Sequence, residues 1–131
     1  MTAYQFAFPD MDIRIDGDIA ADYGCQNDPS AWSAVRGYGD YYGGDSAEVI
    51  FDTHRPERED LLIIGESYDN AILKLIASHY DQTYSIDLRY YEPIFGQPFA
   101  LEDYLTAHGI EQVLLIGNID YYIMGDFRIG A

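Results

Sequence analysis

Residues 61–64, Leu-Leu-Ile-Ile, form an unbroken apolar run, the pattern of a strand buried on both faces of a sheet. A polar turn at 65–70 follows. Ala71, Ile72, Leu75 and Ile76 then recur at helical spacing and predict a helix running to about His79. The next elements are a strand at 83–88, a loop at 90–98 with two prolines and Gly96, and a helix at 100–108. That helix carries Leu101, Tyr104 and Leu105 on one face and stops at Gly109. Residues 112–116 read as a third buried strand.

The first half is less regular. Residues 4–8 are aromatic-rich, and Pro9-Asp10 reads as a turn. Residues 12–16 alternate, with Ile13 and Ile15 apolar, and predict a half-exposed strand that turns at Asp16-Gly17-Asp18. The segment 22–45 is rich in Gly, Asp, Asn, Pro and Tyr and reads as a long ordered loop, with one helical turn begun by Asp28-Pro29-Ser30. Its aromatics, Tyr23, Trp32, Tyr38, Tyr41 and Tyr42, either cover a sheet face or form a sugar-stacking surface. Residues 47–51 predict a short strand, and 53–60 a charged, exposed connector.

The order β-α-β-α-β with short joins implies right-handed crossovers and parallel strands. The expected fold class is therefore α/β. It is a small, mainly parallel sheet flanked by helices in a flavodoxin-like three-layer arrangement. A β- and loop-rich segment over 1–46 precedes the core at 47–131, the whole forming one domain.

Composition narrows the partners. Among 131 residues, 7 are Lys or Arg and 23 are Asp or Glu, a formal net charge of −16. Such a chain lacks the basic patch that a nucleic-acid backbone or an anionic membrane surface demands. No apolar run approaches the ~18 residues of a membrane span. Cys25 is the single cysteine and cannot form an internal disulfide. Residues 1–4 show neither the basic segment nor the apolar run of a signal peptide, so the chain reads as cytosolic, as a mature form or as a fragment.

Ligands of open parallel sheets bind at the carboxyl ends of the strands. This rule selects Glu66 and Ser67 after the first strand, then Asp87, Arg89, Tyr90 and Tyr91 after the second. After the third it selects Gly117, Asn118 and Asp120. Ser67 lies in a strand-to-helix turn, where its hydroxyl and its N–H face the same space near a helix N-terminus. Developing negative charge is favoured there, as a serine nucleophile requires. The structural alternative is an N-cap serine. Asp87 and Arg89 would point to opposite faces if the strand continued through both, shaping the pocket mouth or pairing with Glu66 or Asp120.

The text Leu62-Ile63-Ile64-Gly65-Glu66-Ser67-Tyr68-Asp69-Asn70-Ala71 resembles the first block of the SGNH (GDSL-like) hydrolases, with Glu66 in place of the usual Asp. Ser85-Ile86-Asp87-Leu88-Arg89-Tyr90-Tyr91, Tyr104-Leu105 and Ile110-Glu111-Gln112-Val113-Leu114-Leu115 are similar to the C-terminal part of the DHHW proteins. Those are relatives of the SGNH-like polysaccharide O-acetyltransferases of bacterial cell surfaces. The resemblance spans about 47–120 and implies Ser67 as nucleophile, with its N–H as one oxyanion donor. Gly117-Asn118 stands one residue short of the third block, so Asn118 is the matching oxyanion candidate. In this branch the activating Asp-His pair lies far upstream of the serine. The resemblance also implies a cell-envelope or extracellular setting.

A serine nucleophile needs a base within hydrogen-bond reach. His79 ends the helix that begins after Ser67, and ten helical residues would carry it ~15 Å away. His108 ends the second helix at that same far edge. Asp52-Thr53-His54 is an upstream Asp-x-His pair, but it precedes the strand whose far end holds Ser67. His54 remains the one candidate base among weak ones.

Other chemistries find no template. Asp10, Asp12, Asp16, Asp18 and Asp22 are acidic neighbours interrupted by residues 13–15, unlike a calcium loop, and read as a solvated edge. His and Cys show no zinc spacing, and Gly43-Gly44-Asp45 lacks the lysine of a phosphate loop. No metal or cofactor is implied. Two functions stand at this point. One is a serine ester hydrolase or O-acyltransferase on cell-surface polysaccharide, completed by an upstream segment or by a second copy in a homo-oligomer. The other is a non-catalytic glycan- or protein-binding module on a degenerate fold, using 38–42 and Tyr90-Tyr91.

Overall fold

A computed structural model describes residues 8–24, 29–34, 37, 42–123 and 129–130. Its centre is a six-stranded sheet built from β1 (Asp12–Ile15), β2 (Asp18–Ala20), β3 (Glu48–Asp52), β4 (Leu61–Ile64), β5 (Gln82–Ile86) and β7 (Gln112–Leu115). The order across the sheet is β2-β1-β3-β5-β4-β7. A two-stranded parallel pair, β6 (Phe99–Ala100) with β8 (Ile129–Gly130), stands apart. The described α-helices are α1 (Asn70–Ala77), α2 (Leu88–Phe95), α3 (Leu101–His108) and α4 (Ile119–Ile123), and a 3-10 helix spans Pro29–Ala34.

The sheet is mixed, which corrects the mainly parallel expectation. β5, β4 and β7 pair in parallel, Leu62 standing against Tyr84 on one side and Val113 on the other. β3 pairs antiparallel with β5, β1 with β3, and β2 with β1. The physical reason is the connector at 53–60. It lets β3 lie beside β5 rather than beside its sequence neighbour β4, and Thr53 N–H donates to the Asp81 carbonyl (2.9 Å) to close that edge.

A second correction concerns 90–98, expected as a loop. The strand ends at Ile86, and Asp87 caps α2, its carboxylate accepting the Arg89 N–H at 3.0 Å. Pro93 sits inside this short helix, and Gly96, in the left-handed region at φ 77°, ends it. The cap drives the helix, and a single proline in two turns does not prevent it.

Two apolar clusters pack on opposite faces of the sheet. One joins Leu62, Ile64, Tyr84 and Ile86 to Leu88, Phe99, Tyr104 and Tyr121. The other joins Val49, Phe51, Leu61 and Ile63 to Leu73 and Ala77 of α1 and to Tyr23. Tyr23 meets Phe51 edge-on at 5.4 Å and Tyr42 at 5.9 Å, so these two loop aromatics cover a sheet face. Tyr38 and Tyr41 lie outside the described residues. Among the described residues, no helix is long and apolar enough to cross a membrane.

Candidate functional site

The carboxyl ends of β4, β5 and β7 meet at one edge of the sheet, as the parallel register requires. Ser67 is half-buried in the turn between β4 and α1. That turn is closed by the Asp69 N–H donating to the Glu66 carbonyl (3.0 Å). The N-cap position of α1 is held by Asp69, two residues after Ser67, and its side chain makes no cap hydrogen bond.

Glu66 reaches across to the next strand end, where its carboxylate accepts the Asn118 N–H at 2.8 Å. Asn118 in turn caps α4, its side-chain oxygen accepting the Asp120 N–H at 3.0 Å. Asp120 is exposed in the first turn of that helix. Tyr122 hydroxyl bridges the β4 and β7 ends, donating to Ile64 or Ile116 carbonyl oxygen, each at 2.8 Å.

Asp87 and Arg89 form a bidentate pair at 3.0 and 2.6 Å. The pairing considered with Glu66 or Asp120 is thus replaced by one with Asp87, because helix formation from Leu88 turns the guanidinium back over its own cap. Arg89 also stands 3.7 Å from Asp45 and lies over the Tyr90 ring at 5.1 Å. Tyr90 hydroxyl donates to Asp45 at 3.2 Å. The hydrogen bond to Asp87 raises the Arg89 pKa above its usual value, so the cation is permanent.

Asp69 escaped the sequence reading. Its side chain is buried beside Glu66, Asp87 and Ser85, lining a cavity of about 10 Å³, enough for one water. Burial, then the charges of Asp87 and Glu66, push its pKa up to about 7, with Arg89 opposing. Among the described residues its Oδ2 has no hydrogen-bond partner. Of the three carboxyls here, Asp87 is held by Arg89 and Glu66 by a backbone N–H, while burial favours the neutral form of Asp69. Local signals for Asp69 are absent from the sequence, since its burial comes from strands distant in the chain.

All three histidines lie among the described residues, and none is placed at this edge. His54 follows β3, where Asp52 aligns with Gln82 at the start of β5. From there the four residues of β4 alone span ~13 Å before the Ser67 turn begins. His54 Nε2 is 2.6 Å from Asp12 and Nδ1 is 3.4 Å from Asp52, and these partners raise its pKa. His108 packs its ring on Tyr84 (4.6 Å) and Tyr104 (4.4 Å). Both histidines line a separate cavity of about 400 Å³ with Arg14, Ile50 and Gln82. His79 follows the C-terminal end of α1, its N–H donating to the Ile76 carbonyl. Eight helical residues place that end ~12 Å from the start of α1.

Among the described residues, no group of three or more His, Cys, Asp or Glu could hold a metal ion.

No protein-family model matches the chain, and no curated protein matches it in sequence. Solved structures match its fold. Two structures of PatB1 from Bacillus cereus, one with a sulfonyl adduct, superpose with TM-score 0.67 at 19% identity, over 93% of this chain and 40% of that one. A DHHW family protein from Eubacterium siraeum DSM 15702 superposes with TM-score 0.59 at 19% identity, over 85% of this chain and 35% of that one. The chain thus has the α/β fold seen in PatB1 and in a DHHW family protein, and spans less than half the length of either.

Proposed function

We propose that this chain is the serine-bearing part of an acyl-transfer site, an ester hydrolase or O-acyltransferase acting on cell-surface polysaccharide. Ser67 is its nucleophile. The observation that carries the reading is the position of Ser67, in a turn that leaves a buried parallel strand and enters α1 at the carboxyl edge of the sheet. The resemblance of 62–71 to the SGNH first block and the likeness of fold to PatB1 and a DHHW family protein support it.

In such a step the Ser67 oxygen attacks the acyl carbonyl and gives its proton to a base. The former carbonyl oxygen gathers negative charge, and the Ser67 N–H, with an amide donor from Asn118, would receive it. The tetrahedral intermediate then collapses, the base returning the proton to the departing alcohol and the acyl group staying on Ser67 until water or an acceptor hydroxyl takes it. An acidic environment opposes that charge, so the pairing of Asp87 with Arg89 and the protonation of Asp69 keep the site workable. The base comes from outside the three histidines of this chain, because all three stand at other edges. The same observation favours one second reading, a binding module that has lost its chemistry.

Hydrolysis of an activated acetyl ester by the wild type and Ser67→Ala, with imidazole added as base and its own background subtracted, separates the two. The acyl-transfer reading expects the wild type to exceed the variant by at least about tenfold. Equal rates would leave the binding reading.

A further inference from the structure

A cleft away from Ser67 lies on the sheet face that carries α3. The antiparallel register sets two rows of side chains across β1, β3 and β5 on that face. Asp12, Asp52 and Gln82 stand in one row, and Arg14, Ile50 and Tyr84 in the next. His108, at the end of α3, packs on Tyr84 and walls one side. The cavity of about 400 Å³ between them is of the size that takes a small molecule. Both β3 and β5 have a strand on each side, so the sheet occupies their backbone groups and the cleft is lined by side chains. One hydrogen-bonded chain runs along its wall. The Tyr84 hydroxyl donates to Gln82 Oε1, and Gln82 Nε2 donates to Asp52 Oδ2 at 3.3 Å. Asp52 Oδ1 accepts the His54 N–H at 2.8 Å, and His54 Nε2 lies 2.6 Å from Asp12 Oδ2. These bonds hold His54 at φ 55°, a left-handed conformation that costs a non-glycine residue energy. Arg14 is exposed and forms no ion pair among the described residues.

Charge narrows what fits. Arg14 and the imidazolium of His54 balance Asp12 and Asp52, so the wall is even in sign although the chain carries −16. The cavity of about 220 Å³ beside Glu59, Asp60, Asp81 and Glu111 has Arg58 as its one basic residue. A balanced wall selects against net charge and sets donors beside acceptors, and a hydroxyl group is both at once. Ile50 gives the floor an apolar centre on which the C–H face of a saturated ring can rest.

We propose that this cleft binds a neutral, hydroxyl-rich sugar and is a glycan site separate from the serine. A sugar is preferred to other neutral polyols on the strength of the polysaccharide reading, but the cleft uses no part of the acyl-transfer geometry. The side chains that already bond to one another along the wall need little ordering when the ligand arrives. β5 carries Gln82 at this cleft and ends at Ile86 on the Ser67 edge, ~13 Å further on. A polymer can therefore touch both places, where a single sugar cannot.

Titration of the isotope-labelled 131-residue chain with cellotriose, maltotriose and chitotriose, and with trigalacturonic acid as the anionic control, tests it through amide chemical shifts. The expected result is that a neutral trisaccharide moves the amides of Arg14, Asp52, His54 and Gln82 with a Kd on the order of 1 mM, and that the acid binds at least about tenfold more weakly. Arg14→Ala and Asp52→Asn, with unchanged circular dichroism, should each weaken the binding at least about tenfold, and Ser67→Ala should leave it unchanged. If Asp52→Asn loosens the fold, Arg14→Ala decides. No shift at these amides with any neutral trisaccharide, or tighter binding of the acid, would overturn the proposal. Binding that neither variant weakens, or that Ser67→Ala removes, would overturn it too. Ester hydrolysis by Ser67 is read in a separate assay, so either reading can fail while the other stands.

Discussion

Asp69 is only 3% exposed and sits between two other carboxyls, so its protonation is tied to folding. Its folded pKa, pushed up to about 7 by burial, lies above the 3.8 of the free group. The folded state therefore binds more protons between those values. The contribution of Asp69 to stability is fully present below pH 3.8 and is lost as pH rises through about 7. Asp69→Asn keeps the shape and never ionises. At pH 8 it should be more stable than the wild type, by on the order of 4 kcal/mol in urea unfolding, with the gap closing towards pH 4. A constant difference across that range would show that the carboxyl does not titrate with folding. At this scale the sequence was informative wherever a strand end alone decided the position. Glu66, Ser67, Asp87 and Asn118 could be placed at strand ends from the apolar pattern, although the run at 112–116, expected as a third buried strand, is an exposed edge strand because only β4 pairs with it among the described residues. Asp69 was missed because its burial depends on strands β3 and β5, and the partner of Arg89 was missed because it depends on where the strand stops.

Gly65 shows how the turn is built. A Cβ there would run into Asp69 Oδ2 and lie 3.3 Å from the Ile116 carbonyl oxygen. The buried carboxyl has little space to yield, and the backbone oxygen is fixed by the sheet. Gly65→Ala should cost about 1–3 kcal/mol, and combining it with Asp69→Ala should recover part of that loss, a non-additivity readable in a double-mutant unfolding cycle. Additive losses would mean that the two groups do not meet. Among the elements, the helices after β4 and before β7 were legible from their spacing. Gly109, at φ 65°, ends the latter as its sequence position suggested. Helix α2 was not legible, because two prolines and Gly96 outweigh a single capping aspartate when only local text is read. β2 is three residues long and carries no pattern of its own, being defined by its pairing with β1.

For the whole molecule, the βαβαβ half followed from pattern and handedness, since β5, β4 and β7 are joined by helices. The mixed character of the sheet did not, because the pairing of β3 with β5 is a long-range choice that neither strand declares. That choice carries the functional consequence. It places His54 at the edge opposite Ser67, beside the cavity that His108 also lines. The most direct test is covalent labelling of the chain with a sulfonyl fluoride, with and without added imidazole, followed by mass-spectrometric assignment of the modified residue. The expected result is an adduct on Ser67 that forms at least about tenfold faster with imidazole and is absent from Ser67→Ala. An adduct spread equally over Ser30, Ser33, Ser46, Ser67, Ser78 and Ser85, with no dependence on imidazole, would contradict the assignment of Ser67 as the nucleophile.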